Sequence, residues 1–456
     1  MNRWASNLYT RAALLVGLRQ LWRYNPPAVL ATRYLMLIAL GSLLLWLPVS
    51  SRDGLTALQA LFTACSAVTV TGLTVVDTGS ELTFFGQSVL LVLIHLGGLG
   101  LMTFAALAVM LLSGRFNSGD QPLRRAPLER VSAGDMLAVV RQVAVLAISL
   151  ELVGTALLAL VWVPEMGFWQ GLWFSFFHAA AAFNNAGFSL WSDSLMQWVD
   201  HPLVTPVISG LFIVGGLGFT VLVDLWRHRR FASLNLHSKL TLSGTAILAL
   251  GAWILVMLFE WHNSGTLGGL DGARRPLAAW FTAVTPRTAG FNNLDTAALT
   301  MPTTLLLMLL MFVGAGSNST ASGIKVSTFM VVLLATRACL RDRPQPSAFH
   351  RRVASAAVFR AFSVVVLSLL MLSLANLLLV VLHPQLQPVD LLFEGFSAFG
   401  TVGLSRGVTT ELSAAGQGIV MMLMFVGRIG PLALAFALAR PRRTRLRYVE
   451  DEVQVG

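Results

Sequence analysis

Long apolar stretches recur along the chain and dominate its pattern. Eight of them, each about 20 residues or longer, carry few charges and are separated by shorter, more polar segments. As helices they are long enough to cross a bilayer core of about 30 Å. We therefore predict eight membrane-spanning helices, over Ala28–Val49, Phe84–Leu112, Leu137–Val163, Pro202–Trp226, Leu240–Trp261, Thr303–Ala335, Ala356–Leu382 and Gly416–Ala439.

Four further segments recur between these spans. Each starts as a moderately apolar stretch with the length of one short helix and continues into a glycine-containing loop. The predicted short helices cover residues 55–68, 168–182, 274–285 and 389–399. The loops read TVTGLTVVDTG (69–79), FNNAGFSLWSD (183–193), TPRTAGFNNLD (285–295) and FGTVGLSRGVT (399–409), and they align on Gly72, Gly187, Gly290 and Gly403.

A second set of glycines keeps step with the first. It reads GGLG at 97–100 and 215–218, GAG at 314–316 and GRIG at 427–430. Two glycine sets in register predict four tandem helix–pore-loop–helix repeats. The predicted boundaries are an N-terminal segment 1–27, repeats 28–113, 114–226, 227–337 and 338–440, and a C-terminal tail 441–456.

The glycine loops have the chemistry of a cation filter. A cation that leaves water loses its hydration shell, and backbone carbonyls replace it when consecutive oxygens point at a common axis. Glycine gives the backbone that freedom, and the short helices would direct the negative ends of their dipoles at the ion. We therefore predict an all-α integral membrane protein that conducts a monovalent cation. Ordinary outer turns with helix-packing glycines are the alternative interpretation.

Composition and charge agree with a membrane location. The chain is 55% hydrophobic and 12% charged, with a mean hydropathy of +0.72, so much of its surface must face lipid. Most of the 32 Lys and Arg fall in the N-terminal segment, in linkers near 114–141, 227–239 and 337–360, and after Arg440. By the positive-inside rule these segments and both termini are cytoplasmic. Nucleic-acid binding would also account for a basic chain, but these basic residues are divided among separate loops.

Other functional classes have less support. The two cysteines, Cys65 and Cys339, fall in different repeats, and His95 and His178 have no second ligand at metal spacing, so neither disulfides nor a metal site are expected. No catalytic arrangement shares a face, so we expect no enzyme. A secondary transporter of an organic solute remains as an alternative, but it would require oppositely oriented halves.

Several segments resemble the potassium transporters of the Trk/Ktr/HKT superfamily. They are NPPAVLATRYLMLIALGSLLLWLPVS (25–50), the four loops, GAGSNSTASGIKVSTF (314–329) and FVGRIGPLALA (425–435), and the tail RYVEDEVQVG favours the KtrB branch over longer TrkH proteins. The resemblance implies a homodimer in the bacterial inner membrane with one pore per subunit. It also implies K⁺ as the transported ion and no cofactor on this chain. A cytoplasmic KtrA/TrkA-like ring of regulatory subunits would bind the nucleotide, ATP/ADP or NAD.

The resemblance assigns the filter residue by residue. A serine in place of the first glycine accompanies sodium permeation in plant relatives, so Gly72 favours potassium. Only Thr401-Val402-Gly403 keeps the first letters of a potassium-channel TVGYG loop, so a Na⁺-permeable or Na⁺-coupled transporter remains the alternative. The implied ion ligands and their glycines are Thr69, Val70, Thr71, Gly72, Asn184, Asn185, Ala186, Gly187, Arg287, Thr288, Ala289, Gly290, Gly400, Thr401, Val402 and Gly403.

A gate is expected below the filter. The run GAGSNSTASG (314–323) is too polar to face lipid, so it is expected to cross the pore as a loop, with a kinked helix as the alternative. Arg428 lies inside the last apolar stretch, where a charge is costly. It is expected to act with the loop in gating, or else to pair with a buried carboxylate such as Glu151 or Glu394. The gate residues are Gly314, Gly316, Ser317, Asn318, Ser319, Thr320, Gly323, Lys325 and Arg428.

Overall fold

Helices form nearly all of the regular structure. The computed structural model describes residues 26–116, 133–317, 319–343, 345–431 and 433. The predicted tail, most of the N-terminal segment and most of the linker near 114–141 lie outside these residues. The described α-helices are α1 Pro26–Leu45, α2 Ala57–Thr69, α3 Phe84–Phe116, α4 Ala133–Met166, α5 Phe168–Phe183, α6 Val204–Leu217, α7 Phe219–His228, α8 Leu236–Glu260, α9 Arg275–Val284, α10 Met301–Phe312, α11 Val326–Leu340, α12 Ser355–Leu382, α13 Pro388–Gly400 and α14 Ala414–Ile429.

Short elements connect these helices. A two-stranded antiparallel sheet pairs β1 (Ser347–Ala348) with β2 (Arg351–Arg352). Single turns of 3₁₀-helix cover Pro48–Ser50, Met196–Trp198, Phe231–Ser233, Leu267–Gly269 and Val408–Glu411.

Each repeat contains a long helix, a short helix and a second helix, as predicted. The short helices are α2, α5, α9 and α13, and they lie within two residues of the predicted bounds. Local sequence explains their starts. Thr56 and Gln59 form a reciprocal capping box before α2, and Pro388 occupies the first turn of α13, where its missing N–H costs nothing. The all-α architecture of four helix–loop–helix repeats is confirmed.

Two predicted spans are broken. The stretch Pro202–Trp226 was expected to be continuous, but α6 and α7 meet at an angle of 94°. Gly218 stands at the break with φ +92°, a conformation that ends the helix and that only glycine adopts without strain. The stretch Thr303–Ala335 is divided into α10 and α11, and none of the described residues between Phe312 and Val326 is helical. A kinked helix over 314–323 is therefore wrong.

The core lies around the short helices, and apolar side chains cover the outside. α2, α5, α9 and α13 each bury a phenylalanine completely or almost so, at Phe62, Phe177, Phe281 and Phe393. On the long helices, large apolar side chains such as Leu258 are exposed. Within the described residues, four helices are long and apolar enough to cross a membrane, or five if α6 and α7 count as one span. The short helices are thus held rigidly inside a shell suited to lipid.

Candidate ion pathway

The four aligned glycines form a closed ring. All have positive φ, from +68° at Gly187 to +96° at Gly403. A Cβ added to any one of them would meet the carbonyl oxygen that precedes the glycine of the next repeat. The distance from the added Cβ to that oxygen is 2.4 Å for Gly72 and Ala186 O, 3.0 Å for Gly187 and Ala289 O, 2.1 Å for Gly290 and Val402 O, and 2.2 Å for Gly403 and Thr71 O. The contacts close in the order of the repeats, so the loops surround one axis in the same direction. This arrangement argues against inverted halves.

A second conformational constraint accompanies each glycine. The residue two positions earlier is left-handed in every repeat, with φ of +57° at Val70, +58° at Asn185, +76° at Thr288 and +47° at Thr401. Valine and threonine adopt this conformation only under strain, and such strain concentrates at functional sites. In each segment, two positive-φ residues therefore stand on either side of one residue that is not in this region.

The carbonyl oxygens of this ring are available to a ligand. The backbone N–H groups beside them do form hydrogen bonds. Thr71 N–H donates to Ser66 O and Val402 N–H donates to Ser397 O, both at 2.8 Å. Within the described part of the chain, no hydrogen bond uses the carbonyl oxygens of Thr71, Ala186, Ala289 or Val402. Unpaired carbonyl dipoles around one axis are the ligands that replace water around a dehydrated cation.

The surroundings of the ring also favour a positive ion. The short helices α2, α5, α9 and α13 end close before the glycines, so their negative dipole ends lie near the axis. Above the ring, a cavity of about 490 Å³ is lined by all four glycines and by loop residues that include Asp77 and Glu81. Burial alone would raise the pKa of Asp77. Hydrogen bonds from Ser192, Ser80 and the Gly79 N–H outweigh this and hold the pKa below its ordinary value, so the carboxylate stays charged.

Residues 313–325, which we call the gate loop, approach the ring from the other side. Their backbone is bonded to neighbouring elements, since the Gly316 N–H donates to Gly216 O at 2.8 Å and Val313 pairs with Ile324. The hydroxyls of Ser317 and Ser327 lie 2.9 Å apart, which ties the loop to α11. Among the predicted gate residues, Asn318 lies outside the described residues.

Arg428 binds the gate loop, and among the described residues it has no carboxylate partner. It is 2% exposed. Its guanidinium donates to Thr320 O, to Ser322 Oγ at 3.1 Å and to Gly97 O at 2.8 Å. The fourth contact, at 3.3 Å, is the hydroxyl of Tyr34 on α1. One side chain therefore connects the loop to two helices of repeat 1.

Pairing of Arg428 with Glu151 or Glu394 is wrong. Glu151 instead contacts His95 Nε2 at 3.0 Å and accepts from Asn184 Nδ2 at 3.0 Å. Glu394 accepts from the hydroxyls of Ser405 and Thr409. Both carboxylates have polar partners of their own, which the sequence order does not reveal.

A family model described as TrkH, cation transport protein, matches residues 28–445. The chain belongs to the TrkH family. The Ktr system potassium uptake protein B of Bacillus subtilis (strain 168) is 45% identical, with 95% of this chain and 97% of that protein covered. Its counterpart in Vibrio alginolyticus is 42% identical, over 96% and 97%. The potassium/sodium uptake protein NtpJ of Enterococcus hirae is 35% identical, over 95% and 98%. The resemblance to the Trk/Ktr/HKT superfamily is thus confirmed.

The fold has a counterpart among solved structures. The crystal structure of the potassium transporter TrkH from Vibrio parahaemolyticus superposes with a TM-score of 0.72 and 17% identity, covering 90% of this chain and 84% of that one. At this identity the likeness concerns the fold alone.

The remaining predicted residues of this TrkH-family chain are not all at the axis. Arg287 directs its side chain to Thr245 on α8, at 3.2 Å and 3.3 Å, so only its backbone is available to the ring. Lys325 turns back to donate to Ala321 O at 2.7 Å. Tyr34, whose hydroxyl contacts Arg428, is not among the residues predicted from the sequence. A lone phenol inside an apolar helix was the available signal.

Proposed function

We propose that this chain is the ion-conducting membrane subunit of a bacterial potassium uptake system. The closed ring of glycines, with four carbonyl oxygens that accept no hydrogen bond within the described residues, carries the proposal. It supports passage of a dehydrated monovalent cation through the four segments 69–72, 184–187, 287–290 and 400–403. The two Ktr relatives are named for potassium uptake, which favours potassium as the ion and transport over catalysis.

Regulation by a partner completes the proposal. The gate loop would close the pathway beneath the ring, and a cytoplasmic KtrA/TrkA-like ring that binds nucleotide would control it. The word system in the names of the Ktr relatives supports a partner subunit. The chain would act as a homodimer in the inner membrane, with both termini cytoplasmic and the exposed basic residues Arg227, Arg229 and Arg230 on the docking side. Binding dominated by these arginines should weaken with salt in a pull-down.

Sodium is the second candidate ion. The relative of Enterococcus hirae is named for potassium and sodium, so transport of both ions is the main alternative. Within the proposed filter, glycine rather than serine at Gly72 favours potassium.

Uptake by a potassium-uptake-deficient bacterium that expresses the chain with its partner tests the proposal. The intact chain should restore growth at low external potassium. Gly72→Ser should relax discrimination between potassium and sodium, because a side chain there would lie 2.4 Å from Ala186 O at a φ of +94°. Gly54→Ser is the matched control, since Gly54 also has positive φ (+82°) but has no atom within 4 Å of its added Cβ. Equal selectivity in both variants would contradict the placement of the filter.

A further inference from the structure

Two hydrogen bonds in series connect the gate loop to one filter segment and that segment to the next. Thr320 Oγ1 donates to Asn185 Oδ1 at 2.9 Å. The other end of the same amide, Asn185 Nδ2, donates to Thr288 Oγ1 at 3.3 Å. Asn185 and Thr288 are the left-handed residues of segments 2 and 3. One hydroxyl of the loop therefore orients a side chain that links two neighbouring segments of the ring.

This link is enclosed by protein. Thr320 and Thr288 are fully buried and Asn185 is 2% exposed, so water does not replace either bond readily. Thr320 is also held from its other side, because Arg428 donates to its carbonyl oxygen. Gly215 leaves room for the amide, since a Cβ there would lie 3.0 Å from Asn185 Oδ1. The Thr320 hydroxyl thus faces the end of α5 and segment 2, where Asn185 Oδ1 is its nearer acceptor and Phe183 O, at 3.4 Å, is its farther one.

The other two segments have no such link. The equivalent residue of segment 1 is Val70, which cannot form a side-chain hydrogen bond. That of segment 4 is Thr401, whose Oγ1 is buried without a partner within the described residues. Within the described residues, the hydrogen-bonded link from the gate loop therefore reaches the left-handed residues of segments 2 and 3 and not those of segments 1 and 4.

We propose that Thr320 is a positioning residue for the filter, so that discrimination between potassium and sodium depends on the gate loop. The inference rests on the proposed function. The Thr320 hydroxyl fixes the amide of Asn185 and, through it, segments 2 and 3. Selection between two ions of equal charge depends on where the carbonyl oxygens lie and how freely they move. Loss of the hydroxyl lets the two segments relax around the smaller ion.

Ion uptake by the intact chain with its partner tests this link. Thr320→Val keeps the side-chain shape and removes the donor, so the sodium-to-potassium uptake ratio should rise about 2- to 10-fold, the effect of one hydrogen bond. Thr320→Ser retains the hydroxyl and should restore the ratio. Thr288→Val removes the acceptor at the far end and should act in the same direction. The double variant should not exceed the larger single effect, since both changes break one connection.

The controls separate this inference from the proposed function. Ser327→Ala breaks the bond between the gate loop and α11 without touching the filter, so any change should be in uptake rate with the ratio unchanged. Unchanged ratios in both Thr320→Val and Thr288→Val would overturn the inference and leave Thr320 as a loop anchor. If Gly72→Ser still altered selectivity in that case, the proposed function would stand. If the intact chain took up no potassium, the proposed function itself would fail.

Discussion

The second helix packs on the short helix in the same way in repeats 1, 2 and 4, and repeat 3 differs. A Cβ added to Gly97, Gly215 or Gly427 would lie 2.0 Å, 2.0 Å or 1.9 Å from Val68 O, Phe183 O or Phe399 O, near the end of the short helix. In repeat 3, a Cβ added to the corresponding Gly314 would lie 2.0 Å from Ser322 O of the gate loop. A Cβ added to Gly316 would lie 2.3 Å from Leu217 O of repeat 2. The same residue type thus permits backbone contact with two different surfaces.

This difference assigns two roles to one sequence pattern. In repeats 1, 2 and 4 the glycine brings the second helix against the short helix and fixes the base of the filter segment. In repeat 3 the helix ends at Phe312, and the glycines let a non-helical segment lie against its neighbours. Non-helical backbone at membrane depth is tolerated only where protein or a water-filled cavity surrounds it. Repeats 1, 2 and 4 form what we call the frame, and repeat 3 contributes the non-helical gate loop.

The largest effect is expected at a glycine of the frame whose backbone lies directly against the backbone of a short helix. Gly215→Ala would force a methyl group against Phe183 O, which cannot move without displacing the filter segment. We expect loss of potassium uptake and destabilisation by about 3 kcal/mol, at the upper end for overpacking. Thermal unfolding of the purified protein and uptake in cells would measure both.

Gly210→Ala is the matched control on the same helix. No atom lies within 4 Å of its added Cβ, so stability and uptake should remain at wild-type levels. Equal damage from both variants would mean that α6 tolerates no alanine for reasons unrelated to contact with the filter.

The sequence predicted the four short helices better than the break in the second helix of repeat 2 and the contacts between repeats. Apolar periodicity and two glycine sets in register located the four short helices within two residues. They did not predict the bend at Gly218, because glycines at 215–218 resemble the packing glycines of continuous helices. Nor did the sequence identify the partners of Arg428. Tyr34 and Thr320 are far from it in the chain, and only the closed ring of repeats brings them together.

The next largest effect is expected for the gate loop. Deletion of residues 316–322 removes the hydrogen bonds that hold the gate loop to the frame, including the bond from Gly316 N–H to Gly216 O. Potassium uptake should rise. The factor by which the partner subunit changes uptake should decrease by about 5- to 150-fold, the range that is typical of allosteric coupling. Uptake assays with and without the partner measure this. A folded deletion variant whose uptake still required the partner would leave helix packing as the better account of the segment.

A smaller increase is expected for Arg428→Ala. The substitution removes a positive charge that opposes a cation in a low-dielectric passage, and it also removes the bonds to the gate loop. Each bond from a charged donor contributes about 1.5–3 kcal/mol, so the purified protein should unfold at a lower temperature. Arg428→Lys separates the two causes, because it retains the charge and loses the guanidinium contacts. Uptake by Arg428→Lys at the wild-type rate would assign the effect to charge alone, whereas uptake equal to that of Arg428→Ala would assign it to the contacts.

The smallest effect is expected at Asp77, whose carboxylate lies above the ring and accepts from the N–H groups of Gly79 and Ser80. Because its pKa is lowered in the folded protein, the carboxylate contributes stability above its unfolded pKa of about 3.9 and loses it as pH falls through the folded value. Asp77→Asn should therefore lower the unfolding temperature slightly at neutral pH, and the gap from wild type should close toward pH 3. Partner dependence should not change, because the backbone partners of the Asp77 carboxylate, Gly79 and Ser80, lie in its own outer loop and not in the gate loop. A gap that stayed constant down to pH 3 would show that the Asp77 charge is not the source of the stability.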